Sequence, residues 1–221
     1  MYRSIAFNNM FKVRLNLRKV VKIGVACLAV TVVFLGCKKD DNEQTKERDP
    51  LTYDEGVVIN GVKWATRNVD KPGTFAIKPE SSGMLYKWNS KVAWLVIGEF
   101  VDNWDNSLPD GTEWIKENDP SPVGWRIPTK EELQKLLDAG YILTEINGVK
   151  GLSFGTTPNT IFLPIRGALN SPEGKIKSDV AAYWSKDLIE GKMNYLLYNN
   201  DVKLFEYPLS LLVINIRCVA I

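Results

Sequence analysis

Turn signals divide the chain after residue 56 into short apolar runs, and this limits the fold more than any other feature. Asn60-Gly61 separates two alternating runs and is a strong signal for a two-residue hairpin. Asn-Gly, Gly-Lys, Asn-Asn and Ser-Pro pairs separate later runs, which are VKGLSFG, NTIFLPIRG, AAYWSK, MNYLLYNNDVKLF and LLVINIRCVAI. We predict many short strands, with the near-continuous apolar run at the end as a central, buried strand.

The region between the first hairpin and residue 119 is harder to assign. Residues 84–98, MLYKWNSKVAWLVIG, fit either a strand or a short helix. Residues 71–83 contain two Pro and two Gly and are predicted to be a loop. A long polar loop is predicted for residues 99–119, where Trp104 and Trp114 stand among seven acidic residues.

The clearest helix follows the sequence PVGWRIPT. Thr129 and Glu132 fit a capping box, in which each side chain accepts a hydrogen bond from the other residue's backbone N–H. Gly140 is placed to end the helix. The apolar face has helical spacing and consists of Leu133, Leu136 and Leu137. One helix or two against many strands predicts the α+β class.

The amino terminus resembles a secretory signal. Residues 1–36 carry six basic residues and no acidic ones, and they end in the apolar run IGVACLAVTVVFLG. A membrane-spanning helix is the alternative, but this run is shorter than the roughly 20 residues needed to cross a bilayer. Leu35-Gly36-Cys37 resembles a bacterial lipobox, so we expect residues 1–36 to be a lipoprotein signal peptide and Cys37 to carry the lipid. Translation starts at either Met1 or Met10.

Residues 37–55 have the composition of a flexible polar tether. Lys-Asp-Asp just after Cys37 resembles the surface-export signal of lipoproteins from Bacteroidota-type bacteria. The expected location is therefore the outer membrane, with a lipid anchor and the domain facing outside. The periplasmic face is the alternative.

Charge and residue content exclude several functional classes. The complete sequence contains no His, which excludes Ser-His-Asp and Cys-His nucleophile systems and His-ligated metal sites. Without residues 1–36 the chain has 22 basic against 26 acidic residues, so nucleic-acid binding is not expected. Cys218 would be the one thiol of the mature domain outside the lipidated position, which leaves no partner for an intrachain disulfide.

Six segments occur in the order typical of the Fibrobacter succinogenes major paralogous domain (FISUMP) family. They are INGVKWATRNVD, GMLYKWNSK, NDPSPVGWRIPTKEEL, FLPIRG, YWSK and IRCV, and together they span residues 56–221. The resemblance implies a C-type-lectin-like fold of mixed, mostly antiparallel sheets with one or two helices. It also implies a bacterial cell-surface lipoprotein of the kind proposed as adhesins or pilus tips, and it implies no enzyme activity.

Two positions depart from the family pattern. Many relatives have Cys where this chain has Ser121, placed to pair with the Cys of Arg-Cys-Val, which is Cys218 here. The resemblance therefore implies that this chain lacks a disulfide found in relatives. YWSK replaces Tyr-Trp-Ser-Ser, which leaves the role of that turn open.

The Gly-Trp-Arg segment is interpreted as architectural. Trp125 is expected in the core beneath the helix and Arg126 in an ion pair, and the alternative makes these two residues a ligand site. The full set of residues expected to be structural is Trp64, Trp88, Gly124, Trp125, Arg126, Pro128, Thr129, Glu132, Trp184 and Cys218. Cys218 is expected to be buried and inert, with Arg217 on the opposite face of its strand.

The candidate ligand residues lie outside the strongest family segments. Sugar rings stack on exposed indoles, so the candidates for a glycan surface are Trp94, Trp104 and Trp114. Nearby carboxylates suggest calcium or a glycosidase pair, and they are Asp102, Asp105, Asp110 and Glu113. Their spacing fits neither an EF-hand loop nor the triplets of sugar-binding C-type lectins, so no metal and no cofactor is expected.

These patterns favour a surface-anchored, non-enzymatic lipoprotein that binds glycan or protein, as an adhesin or a pilus-associated component. A structural lipoprotein of the envelope or of a pilus assembly, without glycan binding, is the alternative.

Overall fold

The computed structural model describes residues 48–168, 170 and 172–221. The predicted signal peptide, the predicted lipid-bearing Cys37 and most of the predicted tether lie outside the described residues.

The described residues form one α-helix, α1 (Lys130–Asp138), and a short 3₁₀ helix (Lys116–Asn118), with fifteen short strands. The strands are β1 (Val57–Ile59), β2 (Val62–Trp64), β3 (Leu85–Lys87), β4 (Ala93–Trp94), β5 (Val96–Ile97), β6 (Phe100–Val101), β7 (Trp125–Arg126), β8 (Tyr141–Ile146), β9 (Val149–Thr156), β10 (Asn159–Pro164), β11 (Ala181–Ile189), β12 (Lys192–Tyr198), β13 (Val202–Pro208), β14 (Val213–Ile214) and β15 (Val219–Ala220).

In the described part of the chain the strands form five small sheets. The largest has the order β1-β2-β15-β7. Three sheets have three strands each, ordered β10-β9-β8, β11-β12-β13 and β14-β3-β4, and β5 pairs with β6. These named strands all pair in antiparallel fashion. Mostly antiparallel sheets with one α-helix are compatible with the predicted α+β class.

Local signals account for the first hairpin and the helix. Asn60 and Gly61 have φ values of 46° and 77°, as a two-residue hairpin turn requires. The capping box is present: the Glu132 N–H donates to Thr129 Oγ1 at 3.1 Å, and the Thr129 N–H donates to Glu132 Oε2 at 2.8 Å. Gly140, with a φ of 74°, follows the helix. These predictions are confirmed, and residues 84–98 form short strands rather than a helix.

The terminal apolar run is buried from Leu212 to Val219, as predicted, but the prediction of a single central strand is wrong. The run contributes β14 to one sheet and β15 to another. Between them the backbone bonds to other segments: Val69 N–H donates to Ile216 O, and Ala65 N–H donates to Cys218 O. The run is apolar throughout because it crosses the interior between sheets.

Two main clusters make up the core. Trp64 lies in one of them together with the helix residues Leu133 and Leu136. Trp88 and Trp184 lie in the other, and all three indoles are fully buried, as expected for structural residues. Trp125 packs only partly buried against the second cluster. The expectation that Trp125 fills the core beneath the helix is therefore wrong, and Trp64 occupies that place.

The segment just before residue 56 is attached to the domain. Asp54 is buried, and its carboxylate accepts hydrogen bonds from the N–H groups of Gly56 and Thr66 and pairs with Arg67 Nε at 3.1 Å. Phe75 N–H donates to Leu51 O at 2.7 Å. The folded domain therefore includes residues before position 56, which the sequence assigned to the tether.

Candidate functional site

A cleft of about 550 Å³ opens beside the Gly-Trp-Arg segment. Its size falls in the range of about 300–1,000 Å³ that is usual for small-ligand pockets. The lining combines two indoles, apolar groups and three cationic side chains, and consists of Trp114, Lys116, Asp119, Ser121, Pro122, Val123, Gly124, Trp125, Arg126, Lys186 and Ile221.

A tight turn forms one wall of this cleft. The N–H of Trp125 donates to the carbonyl of Pro122 at 3.0 Å, which closes a four-residue turn. Gly124 is its third residue and has a φ of 85°, which a glycine accommodates without strain. The turn places the Val123 side chain in solvent, where it is 99% exposed. An apolar side chain thus stands at the rim of the cleft.

The Asp119 side chain accepts hydrogen bonds from the backbone at both ends of the segment from Ser121 to Ile127. One carboxylate oxygen accepts from the Ser121 N–H at 2.9 Å, and the other accepts from the Ile127 N–H at 3.3 Å. Because both oxygens are occupied by backbone donors, Asp119 shapes the cleft and is poorly placed to bind a ligand.

Trp125 is supported from behind. Its ring meets that of Phe75 edge to face, with centroids 5.7 Å apart. A side chain at Gly56 would clash with the indole, since an added Cβ would lie 2.7 Å from a Trp125 ring carbon. These contacts fix an indole that remains partly open to the cleft.

Arg126 is paired with Glu132, which confirms the predicted ion pair and identifies the carboxylate as a helix residue. Two guanidinium nitrogens donate to the two carboxylate oxygens at 2.8 and 2.7 Å. Burial of Glu132 opposes ionisation, but hydrogen bonds from Arg126 and Thr129 outweigh it and lower the pKa of Glu132. The pair ties the cleft wall to the capped end of α1.

Another part of the cleft lining comes from the acidic loop. Trp114 packs edge to face against Trp88 at 5.8 Å and Trp184 at 6.2 Å. Asn89 anchors this part of the loop, because its side chain accepts from the Ile115 N–H at 3.0 Å and donates to the Asp110 carbonyl at 2.8 Å. Trp114 is therefore a candidate ligand residue that does line the cleft.

Three other candidate residues, Trp94, Trp104 and Asp105, surround a buried lysine instead. The Lys87 ammonium lies 5.1 Å from the ring centre of Trp94 and 4.6 Å from that of Trp104. It also donates to Asp105 Oδ1 at 2.9 Å and to the Ser107 carbonyl at 2.7 Å. We call these five residues the lysine cage.

The cage corrects three of the sequence predictions. Trp94 is buried and offers no face for a sugar, while Trp104 is half-buried against it. Asp105 is engaged by Lys87 and Ser107. Asp102 is exposed in the same loop and does not line the cleft. The aromatic residues near the acidic loop thus bind a cation that belongs to the chain itself.

Replacing Lys87 with Met is expected to release the loop of residues 102–115. Hydrogen bonds to charged groups contribute about 1.5–3 kcal/mol, so loss of the ammonium should raise local opening roughly tenfold or more. A protease that cleaves after acidic residues should then cut the loop at least about tenfold faster. Lys91→Met, at an exposed lysine nearby, serves as the control. Equal cleavage rates in the two variants would contradict the anchoring role.

The loop that the lysine cage anchors should become less stable at low pH. Hydrogen bonds from Ser107 and then from Lys87 lower the pKa of Asp105 to about 2, from an ordinary 3.8. A carboxylate with a lowered pKa stabilises the folded loop above its unfolded pKa, and that contribution disappears as the pH falls toward 2. Hydrogen exchange of loop amides, corrected for intrinsic rates, should therefore show opening between pH 4 and 2. In Lys87→Met the hydrogen bonds from Ser107 to Asp105 remain, so the dependence on pH should become weaker without disappearing.

Ser121, in the cleft lining, contacts Cys218. The Cys218 thiol lies 3.1 Å from Ser121 Oγ. Burial raises the pKa of the Cys218 thiol, so it is a poor nucleophile, as expected. Arg217 is also fully buried, and its guanidinium donates to Asn68 whereas the Cys218 thiol contacts Ser121.

Sequence reasoning missed the cleft's lysines, Lys116 and Lys186, and the cage residue Lys87. A usable signal for Lys87 was its place between Tyr86 and Trp88 in a buried strand. Lys116 carries no comparable signal because it is exposed, and Lys186 was marked only by its departure from the Tyr-Trp-Ser-Ser pattern.

The described residues contain neither a metal-binding cluster nor a membrane-spanning helix. Within that part of the chain, no group of three or more Cys, Asp or Glu side chains is arranged to hold a metal ion. None of the helices there has the length and apolar content needed to cross a membrane.

Comparisons with known proteins give no match of any kind: no family model, no curated protein and no solved structure is similar to this chain. The FISUMP resemblance therefore stays a prediction.

Proposed function

We propose that this chain is a surface-anchored, non-enzymatic lipoprotein that binds a glycan in the cleft between Trp114 and Trp125. It would act as an adhesin or as a pilus-associated component, built on a C-type-lectin-like domain of the FISUMP type. The observation that carries the proposal is the cleft itself, of about 550 Å³, with two supported but partly open indoles on its walls. Indole rings stack against the apolar faces of rings in a ligand.

Binding is favoured over catalysis by the state of the polar groups in the cleft. Arg126 and Glu132 form a two-point ion pair, and the oxygens of Asp119 accept from two backbone N–H groups. Ser121 contacts a thiol whose pKa is raised by burial. An acid–base pair or an activated nucleophile needs a free group at hydrogen-bonding distance from the substrate, and these groups are already engaged. Lys116 and Lys186 are exposed and lack the desolvation that activates a lysine.

A glycan array tests the proposal. The purified full-length chain in detergent micelles should bind a subset of glycans, and Trp114→Ala or Trp125→Ala should abolish that binding. Because either change also removes core packing, Val123→Glu provides a second test at a side chain that is 99% exposed. Ile142→Glu, at an exposed position on β8, is the matched control.

Binding that survives Val123→Glu and both tryptophan variants would overturn the cleft as the site. An empty array, with pilus subunits co-purifying with the chain, would instead select a structural lipoprotein of the pilus or envelope.

Anchoring is tested separately. Leu35-Gly36-Cys37 supports a lipidated Cys37, and Lys-Asp-Asp after it supports export to the outer face of the outer membrane. Metabolic labelling with palmitate should mark the wild-type chain and not Cys37→Ala. External protease should digest the domain on intact cells, and full protection would place the domain on the periplasmic face.

A further inference from the structure

The charges around the cleft indicate which class of glycan it would take, an inference that rests on the proposed function. Three lining side chains are cationic and one is acidic. The rest of the chain shows no such excess, since beyond residue 36 acidic residues outnumber basic ones by 26 to 22. The cationic character is therefore local to this cleft and is not a property of the whole surface.

Two of the three cations are available to a ligand. Arg126 is held by both oxygens of Glu132. Lys116 and Lys186 are exposed, and within the described part of the chain their ammonium groups form no ion pair or hydrogen bond. An ammonium group has three donors and accepts an anion without a fixed orientation.

Both lysines are held by the backbone close to the indoles. Lys116 begins the 3₁₀ helix two residues after Trp114. The backbone N–H of Lys186 donates to the Pro128 carbonyl at 2.8 Å, which fixes β11 against the end of the Gly-Trp-Arg segment. The cleft thus combines apolar walls with two positive charges that have no partner in the described residues.

The one acidic side chain in the lining does not neutralise these charges. Asp119 accepts from the backbone N–H groups of Ser121 and Ile127, so its oxygens are directed into its own segment. A neutral ligand would leave both ammonium groups without a partner, whereas an anionic ligand would complement them.

We infer that the ligand is an acidic glycan, in which a sugar ring packs on Trp114 or Trp125 and its anionic group meets Lys116 and Lys186. A carboxylate and a sulfate share the required chemistry. The exposure of both lysines predicts that affinity falls as ionic strength rises.

Calorimetry with matched probes tests this inference. Oligogalacturonate should bind the full-length chain about tenfold or more tightly than its methyl ester, which has the same rings without the charge. A sulfated galactan oligosaccharide tests the other anion: tighter binding than to oligogalacturonate indicates sulfate as the natural group. The Lys116→Ala, Lys186→Ala double variant should lose most of the preference for acid over ester, a change of roughly fivefold to tenfold.

Lys150→Ala, at an exposed lysine outside the cleft, should keep the full preference. Equal affinity for acid and ester, or a preference that survives the double lysine variant, would overturn the inference and leave glycan binding in place. Failure of all three probes would also overturn the inference, and the glycan array then decides separately whether the proposed function stands.

Discussion

Ser121→Cys is expected to form a disulfide with Cys218 spontaneously in air. The two side chains already touch, with 3.1 Å between Cys218 Sγ and Ser121 Oγ. The bond would close a loop of about 100 residues. Because this reduces the conformational entropy of the unfolded chain, the folded state should be stabilised by about 2–4 kcal/mol. The free energy of unfolding, measured in urea with and without reductant, should show this difference in Ser121→Cys alone.

Two controls accompany this variant. Ser121→Ala removes the hydroxyl contact without adding a thiol, and Ser121→Cys with Cys218→Ser adds a thiol that has no partner. Peptide mapping should link positions 121 and 218. If both positions of Ser121→Cys protein, oxidised in its native state, can be alkylated after denaturation without reductant, the two side chains do not meet as described.

Arg217→Met is expected to be the most destabilising single change of a charged residue. Arg217 is 1% exposed, and its guanidinium donates to Asn68 Oδ1 at 3.0 Å and to the carbonyls of Ala65 and Phe162 at 3.1 and 2.8 Å. Burial lowers the pKa of Arg217, and the three acceptors offset the cost of desolvating the charge. Its removal leaves three buried acceptors without a donor, at about 1–3 kcal/mol each.

The expected loss is about 3–5 kcal/mol in the free energy of unfolding, because some acceptors will regain water. Urea unfolding of Arg217→Met should be compared with Arg166→Met, at an exposed arginine, where about 0.5 kcal/mol or less is expected. Arg217→Lys should recover only part of the loss, since one ammonium cannot reach three acceptors in the guanidinium geometry. A loss below about 1 kcal/mol in Arg217→Met would contradict the bridging role.

Features encoded by neighbouring residues could be predicted. The hairpin at Asn60-Gly61 depends on two backbone angles, and the capping box depends on Thr129 and Glu132, three residues apart. The buried state of the terminal run followed from its apolar content. Its division between two sheets did not, because that depends on which distant segments offer backbone partners to residues 215–218.

The candidate site was harder to predict because aromatic residues near a polar loop serve either a ligand or the chain itself. Trp94 and Trp104 are used internally by Lys87, which is far from Trp104 in sequence. Trp125 looked like a core residue from its motif, yet the turn at Gly124 leaves it lining the cleft. Only the folded arrangement distinguishes these roles.

The most direct test of the central claim follows the seven tryptophans during ligand binding. The full-length chain labelled with 5-fluorotryptophan is titrated with oligogalacturonate, and each ¹⁹F signal is assigned with a Trp→Phe variant. The signals of Trp114 and Trp125 should shift with saturation, while those of Trp94 and Trp104, held in the lysine cage, should not. Shifts at Trp94 and Trp104, with Trp114 and Trp125 unchanged, would contradict the cleft as the binding site.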